Sequence, residues 1–164
     1  MKKLLLLILI STIGCNQNEK NITQSQNTIT SIKLHQELPK IVHIDLGVVG
    51  NSTGDLMAFD SVLSNDKGMT GMLSGYITTI DIPNETETFE DRMVHMVFEF
   101  GGANTIVVGG KSVYPKTVGA EFTKLKPQIR AVVGGTGEYM GARGQLTSTR
   151  NEDGTYEHLI ELMK

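Results

Sequence analysis

The stretch that decides the fold is "VVGGTGEYMGARG", Val132–Gly144, which places five glycines within thirteen residues. Gly135, Gly137 and Gly141 have the loose spacing of a dinucleotide-binding loop. That chemistry requires a helix directly after the loop, because the amides and the dipole at the helix N-terminus hold the phosphates. Here the loop leads into "ARGQLTSTR", residues 142–150, whose composition favours a strand. The glycines therefore indicate a bend between two strands, since glycine permits positive φ and close backbone approach.

The chain after Lys40 consists of short apolar or alternating runs, many of them separated by glycine-bearing connectors. The runs are "IVHIDLGVV", "GDLMAFDSVL", "MTGMLSGYITTIDI", "MVHMVFEF", "NTIVVGG", "QIRAVVGG", "ARGQLTSTR" and "TYEHLIELM". This rhythm is typical of an all-β sandwich or barrel. "NEDG", between the last two runs, predicts a hairpin turn. The segment "EHLIELM" has helical propensity, but its place directly after that turn favours a strand.

The N-terminus predicts export from the cytoplasm. Lys2 and Lys3 form a basic start, an apolar run follows, and small residues precede Cys15, which is the arrangement of a bacterial export signal. The apolar run is too short to remain in a membrane as a spanning helix. Cys15 is the only cysteine, which excludes an intramolecular disulfide. Its position resembles the lipobox of bacterial lipoproteins, in which the cysteine is acylated and anchors the protein to the membrane. Ordinary cleavage near the same point, which releases a soluble protein, is the alternative.

Composition divides the chain into three parts. Residues 1–15 are the predicted lipoprotein signal. Residues 16–39 are polar and poor in aromatic side chains, which predicts a tether, because such a segment buries too little apolar surface to offset its ordering entropy. Residues 40–164 have the size of one domain. A net charge of -3 without a dense basic patch argues against nucleic acid as a partner.

Three motifs resemble the allene oxide cyclase and dirigent superfamily. "AVVGGTGEYMGARG" is similar to the glycine signature of that superfamily. "GDLMAFDSVLSNDKGMTGMLSGYIT" resembles a cyclase segment that begins with Gly-Asp-Leu and ends in a glycine-rich strand. "MVFEFGGANTIVVGG" resembles a strand pair in which a Phe-x-Phe-Gly sequence precedes an Ile-rich strand. The order and spacing of these motifs agree with the superfamily from Ile41 to the C-terminus.

The resemblance implies an eight-stranded antiparallel up-and-down β-barrel that encloses a cavity and assembles as a homotrimer. A closed barrel has no exposed sheet edge, and eight strands leave room for packed side chains or for one small ligand. The resemblance also implies that no metal or organic cofactor takes part. The barrel is then expected to bind a hydrophobic small molecule and to steer its cyclisation or isomerisation by positioning. A non-catalytic ligand-binding barrel is one alternative. Another is a structural surface lipoprotein whose interior is filled by large side chains such as Met57, Met69, Met72, Phe59 and Phe98.

Candidate catalytic residues lie in the first strands of the predicted barrel. His43 and Asp45 are two residues apart in "IVHIDL", so they share one face of a strand. A histidine beside a carboxylate suits acid–base chemistry, and by the resemblance this pair stands where the cyclase has two polar residues around its epoxide. Ser61 stands where the cyclase has an asparagine that helps to bind a water. The alternative for all three is a polar position outside the cavity.

Candidate substrate contacts come from later motifs and from tyrosines. Arg143, in "GARG", matches an arginine of the dirigent signature that lies near the barrel mouth and is linked to catalysis. By this resemblance Arg143 is a further catalytic candidate, and we expect it to pair with a substrate carboxylate as a bidentate fork. Bracing of the glycine loop is the alternative role for this arginine. Tyr76 and Tyr139 combine an apolar ring with a polar hydroxyl and are the aromatic candidates for substrate binding. Core packing is the alternative for both tyrosines.

Overall fold

The computed structural model describes residues 28–81, 88–115 and 121–163, and within them the chain is almost entirely β-structure. The strands are β1 (Ile29–Gln36), β2 (Lys40–Ile44), β3 (Leu56–Ser64), β4 (Thr70–Asp81), β5 (Phe89–Glu99), β6 (Thr105–Pro115), β7 (Gln128–Thr136), β8 (Gly144–Arg150) and β9 (Tyr156–Met163). One short 3-10 helix, Gly137–Tyr139, lies between β7 and β8.

The strands form a closed antiparallel barrel. From β3 to β9 each strand pairs with the next, β9 pairs with β1 along its whole length, and β1 pairs with β3. The closing contact joins His35 to Ser64 and Gln36 to Leu63. The other part of β3, Leu56–Asp60, pairs with β2 instead. The predicted eight-stranded barrel is therefore confirmed, with β2 as one extra strand beside the ring.

The barrel includes a strand that the sequence did not predict. β1, Ile29–Gln36, lies within residues 16–39, so the expectation of a tether is wrong for this part of the segment. The strand is hard to recognise from the sequence because one of its faces is polar. Ser31 and Lys33 face outward, while Leu34 and Gln36 are buried in the barrel. Residues 1–27, with the predicted signal and Cys15, lie outside the described residues. Among the described residues, no helix has the length and apolar character that crossing a membrane requires.

The hairpin predicted at "NEDG" joins β8 to β9, and "EHLIELM" belongs to strand β9, so both predictions are confirmed. The turn is held by backbone and side-chain hydrogen bonds. The Asn151 amide donates to the Thr155 carbonyl at 2.8 Å, and the Thr155 hydroxyl donates to Asp153 Oδ1 at 2.7 Å. The hydroxyl and the amide of Thr155 lower the pKa of the Asp153 carboxyl, because both stabilise its charged form.

The glycine-rich stretch makes the bend that the sequence predicts. Gly137 and Gly141 have φ values of 60° and 78°, a region that favours glycine. A Cβ on Gly137 would lie 2.1 Å from Asn104 Oδ1, so the close approach of two loops also requires glycine there. The 3-10 helix is only three residues long, and the chain then enters β8. In the described residues that follow the bend, through Met163, no helix is present that would hold a nucleotide phosphate.

The barrel interior has two chemically different ends. We define the apolar end by the buried residues Phe98, Ile106, Val132 and Ile160. The polar end is defined by the buried residues Arg92, Tyr114, Arg130 and His158. Because the strands run alternately up and down, the polar end collects the beginnings of β5, β7 and β9 and the ends of β6 and β8. The glycine-rich bend between β7 and β8 lies at the apolar end, where Tyr139 packs against Phe100. The buried side chains are therefore apolar at one end of the barrel and polar or charged at the other.

Candidate functional site

A cavity of about 40 Å³ lies inside the polar end of the barrel. One wall is apolar and includes Ile41, Phe59, Ile77, Val94, Met96 and Phe122. The other wall is polar and consists of Gln36, Tyr114, Arg130, Ser148, Tyr156 and His158, with Pro39 at the side. Apolar walls with a few converging polar groups are typical of small-molecule sites.

His158 is the centre of a buried hydrogen-bond chain on the polar wall. Its Nε2 atom lies 2.8 Å from Gln36 Oε1, and its Nδ1 atom lies 2.9 Å from the Ser148 hydroxyl. Since the amide oxygen of Gln36 only accepts, Nε2 carries the ring proton and Nδ1 accepts from the Ser148 hydroxyl. Burial, with a contribution from the positive charge of Arg130, lowers the pKa of His158 to about 3. The ring is therefore neutral at physiological pH.

Arg130 is the cation nearest to this chain. Its side chain is 4% exposed. Nη1 donates to Ser148 Oγ and Nη2 donates to Tyr114 Oη, each over 3.4 Å, and the guanidinium lies 5.6 Å from the ring centre of Phe122. Burial lowers the pKa of Arg130 from its ordinary value, because desolvation disfavours the charged form. Burial also raises the pKa of Tyr114, so its hydroxyl remains protonated.

Two other buried arginines at the polar end are paired with carboxylates. Arg92 forms an ion pair with Glu90, and Asn51 Nδ2 donates to the same carboxylate at 3.2 Å. Arg150 forms an ion pair with Glu121. The Arg92 guanidinium also lies over the ring of Tyr114, 4.9 Å from the ring centre. These pairs satisfy the buried charges of both arginines.

The arrangement favours binding and orientation over proton transfer. A general base is most effective when its pKa lies near the working pH, and the pKa of His158 lies far below neutrality. The hydrogen bond from Ser148 to His158 therefore holds the two side chains in place without activating the serine as a nucleophile. What the cavity offers to a ligand is a fixed set of donors and an apolar wall.

The structure does not place His43 and Asp45 in this cavity. His43 lies on β2 opposite Met57 and is exposed. Asp45 follows the strand, and its Oδ2 atom accepts a hydrogen bond from the Gly50 amide at 2.9 Å. Neither side chain belongs to the described residues that line the cavity. The predicted acid–base pair is thus exposed beside the barrel mouth, and Asp45 is engaged in shaping its own loop.

The other predicted catalytic residues also lie elsewhere. Ser61 is buried, and its hydroxyl donates to the Glu37 carbonyl at 2.7 Å, which fastens the chain after β1 to β3. Arg143 is exposed in the glycine-rich stretch at the apolar end, where its carbonyl accepts from the Met163 amide at 2.9 Å. The structure therefore does not bring Arg143 near the cavity at the polar end.

The two predicted aromatic contacts are outside the cavity as well. Tyr76 is 45% exposed on the outer face of β4, and its ring stacks on His95 at a centroid distance of 5.3 Å. Tyr139 packs against Phe100 at the apolar end, with a centroid distance of 5.4 Å. Burial raises the pKa of the Tyr139 hydroxyl. Packing is the role that the geometry gives to both rings.

The large side chains expected to fill the barrel do so only in part. Met57 and Phe98 are buried, and Phe59 and Met69 pack against the core. Met72 faces outward and is 37% exposed, so its assignment as a filling residue is wrong. The interior is therefore close-packed at the apolar end and retains a cavity at the polar end.

Sequence reasoning missed the residues that do line the polar wall. Ser148 and His158 alternate with exposed or half-buried neighbours, and Arg130 lies between the exposed Ile129 and Ala131. The signal was the two-residue period: Leu146 and Ser148 share one face of β8, and Arg130 and Val132 share one face of β7. Polar residues on a core face mark a buried polar site.

Comparison with known proteins supports the fold. No protein family model and no curated protein matches the chain. Among solved structures, a pyocyanin demethylase is similar with a TM-score of 0.62 and 22% identity, over 81% of this chain and 99% of that one. A pterocarpan synthase dirigent protein has a TM-score of 0.53 and 19% identity, over 84% of each chain. A nonspecific heme-binding cyclase of neoabyssomicin biosynthesis has a TM-score of 0.63 and 14% identity, over 85% of this chain and 68% of that one.

These similarities agree with the resemblance found in the sequence. At such identities, the shared feature is the course of the backbone and not the chemistry of the site. The chain therefore has the closed β-barrel fold of the dirigent and cyclase barrels.

Proposed function

We propose that this barrel binds a hydrophobic small molecule in the cavity at its polar end. The observation that carries the proposal is the pairing of an apolar wall, which includes Ile77 and Val94, with converging polar side chains from five other strands. An apolar wall gives a ligand its affinity, and a few fixed polar groups give it one orientation. A barrel filled for stability alone has no need of buried polar groups, which cost free energy on desolvation.

Ligand entry requires the cavity to expand. A volume of about 40 Å³ exceeds what one water needs but is much smaller than a typical ligand site. Pro39 and Ile41 belong to the wall and lie at or in β2, the strand beside the closed ring. Displacement of β2 breaks pairing with β3 alone, so the eight-stranded ring stays closed. We therefore place the entry path at β2.

The proposed activity is steering by position. A ligand held between the apolar wall and fixed donors has few conformations, which favours one route of cyclisation or isomerisation. A binding protein that leaves its ligand unchanged is the second candidate, and the low pKa of His158 favours it, because an imidazole with so low a pKa is a weak base at neutral pH. Export and a lipid anchor on Cys15 remain proposals that rest on the N-terminal sequence, and a homotrimeric assembly remains a proposal that rests on the family resemblance alone.

The test is ligand binding with a blocked cavity as the comparison. Purified protein is screened by thermal unfolding against indole, 1-naphthol, benzoate and nonanoate. We expect at least one probe to raise Tm, because a ligand that binds only the folded state stabilises it. Ile41→Trp fills the wall and is expected to abolish the shift. Val42→Trp, on the outward face of the same strand, is the matched control and is expected to retain it. Absence of any shift in the wild type overturns the proposal and favours a structural barrel.

A further inference from the structure

We infer that the ligand of this cavity carries an acidic oxygen group, a carboxylate or a phenolate, which the guanidinium of Arg130 binds. The inference rests on the proposed function, because it names the class of molecule that the same cavity accepts. It assigns the anchoring role to a buried residue of β7 in place of Arg143, which lies at the other end of the barrel.

The first observation is an imbalance of charge. Among the described residues, three arginines have buried side chains: Arg92, Arg130 and Arg150. Arg92 is paired with Glu90 and Arg150 with Glu121, whereas no described carboxylate lies within ion-pair distance of Arg130. Burial of a charge is costly unless an opposite charge and hydrogen bonds accompany it. Among the described residues Arg130 therefore has a place for an anionic partner, which we assign to the ligand.

The second observation is the state of the hydrogen-bond donors. The two hydrogen bonds of the Arg130 guanidinium to Ser148 and Tyr114 are long, at 3.4 Å each, and both go to neutral oxygens. Its Nε atom is buried without a partner in the described part of the chain. A guanidinium presents five N–H donors in a planar fork that matches a carboxylate. Arg130 thus retains donor capacity for a charged acceptor.

The third observation concerns the neighbours of Arg130. Its contact with Tyr114 uses that hydroxyl as an acceptor, which leaves the hydroxyl proton for a second anion contact. His158, held by Gln36 and Ser148, is neutral and adds no competing charge. Phe122 covers one side of the guanidinium and continues into the apolar wall. The surroundings therefore fit an acid group attached to a hydrophobic body, and they disfavour a cationic ligand.

The experiment compares probes that differ in charge and hardly in shape. Isothermal titration at neutral pH measures benzoate against benzamide in the wild-type full chain. Charge-assisted hydrogen bonds are about twice as strong as neutral ones, so we expect benzoate to bind about tenfold or more tightly than benzamide. Arg130→Gln is expected to bring the ratio near one, and Arg130→Lys to retain part of it. Arg143→Gln, at the exposed position, is the matched control and is expected to leave the ratio unchanged. 4-Nitrophenolate against 4-nitroanisole repeats the comparison for a phenolate and distinguishes the two acids.

The results separate the inference from the function on which it rests. Equal affinities for benzoate and benzamide, and for the phenolate pair, overturn the inference. So does a charge preference that survives in Arg130→Gln. In both cases binding of a probe leaves the proposed function intact, whereas failure of every neutral and acidic probe overturns that function. Folding of Arg130→Gln is checked by its thermal unfolding without ligand, where we expect an unchanged or higher Tm, because a buried charge without a carboxylate partner has been removed.

Discussion

The two ends of this barrel differ in what they show in the sequence and in what they hold in the structure. The apolar end carries the conspicuous motif, a glycine-rich stretch that bends the chain between β7 and β8. The buried side chains that define this end are apolar. The polar end has no motif, yet it holds the cavity, one buried and one partly buried ion pair, and the buried cation Arg130. The comparison shows that a conspicuous sequence motif can reflect backbone geometry alone, while the side chains that line the cavity are scattered along the sequence.

The difference has a physical cause. A tight bend needs several adjacent residues with unusual φ values or no side chain, so its signal is concentrated in one stretch. A site inside a barrel is built from alternate residues of many strands, because only every second side chain faces the interior. The residues of such a site are therefore far apart along the chain. His158 and Gln36, which share a hydrogen bond of 2.8 Å, are separated by 122 positions. The following predictions test this division between the two ends.

The largest effect is expected at the apolar end. Gly144→Ala places a Cβ 1.9 Å from the Glu161 carbonyl oxygen, at a φ of 155° that disfavours other residues. Relief requires β8 to move away from β9, and we expect a loss of about 4 kcal/mol in unfolding free energy. Gly134→Ala is the control, because its Cβ meets nothing within 4 Å. Urea unfolding measures both variants, and equal stabilities contradict the assignment of this end to backbone geometry.

A smaller loss is expected when a buried ion pair is broken at the polar end. Glu90→Gln removes the negative charge that faces Arg92, where both side chains are buried. Removal of one partner of such a pair leaves an uncompensated charge, and we expect a loss of about 3 kcal/mol. Glu121→Gln is the matched variant in a more exposed pair and is expected to lose about 1 kcal/mol. If the two variants lose the same amount by urea unfolding, burial does not set the strength of these pairs.

The third prediction is a dependence of stability on pH that arises from His158. Its pKa falls from 6.5 to about 3 on folding, so between these values the unfolded state binds the proton and the folded state does not. Stability therefore decreases as the pH falls through this window, by about 1.4 kcal/mol per pH unit for one group. Between about pH 6 and pH 4.5 we expect a loss of about 2 kcal/mol.

The variant His158→Gln isolates this contribution. Glutamine does not titrate, so the slope of unfolding free energy against pH is expected to become flatter by that amount, whatever the stability of the variant at neutral pH. The carboxyls of Asp55 and Asp153, whose pKa values are lowered, lose their contribution at lower pH and do not produce this slope. An unchanged slope in the variant contradicts the neutral, buried state of His158.

The smallest effect is expected for the exposed residues that the sequence predicted as site residues. His43→Ala and Tyr76→Ala change side chains at the surface, outside the described lining of the cavity. We expect each to alter the unfolding free energy by less than about 0.5 kcal/mol and to leave the affinity for a cavity probe unchanged. Titration of the probe that raises Tm most is the measurement. A large loss of affinity in His43→Ala places the binding site at the mouth instead of the interior.

Particular elements show how far the sequence reaches. The hairpin at "NEDG" and the bend in the glycine-rich stretch follow from local backbone preferences, and both are present in the structure. β1 was missed because only one of its faces is buried and its other face is polar. Its pairing partners are β9, which is distant along the chain, and β3, and no local pattern reports such contacts.

The residues that line the cavity could not be located from the sequence. A cavity with an anchoring arginine was expected, but the sequence offered Arg143, in a recognisable motif, and gave no weight to Arg130. Arg130 is buried because β7 lies between β6 and β8, which place Tyr114 and Ser148 on either side of it. Which arginine side chain becomes buried depends on how the strands close into the barrel.

By itself, the sequence determined the all-β class, the turns and the bend, because each of these depends on backbone preferences within a few residues. Only the tertiary structure decided which strands close the ring, which polar residues share the interior and which buried cation lacks a carboxylate. Those features depend on contacts between residues that are distant along the chain, such as Gln36 with His158. The balance of charge inside the barrel is a property of the whole ring and is absent from any single strand.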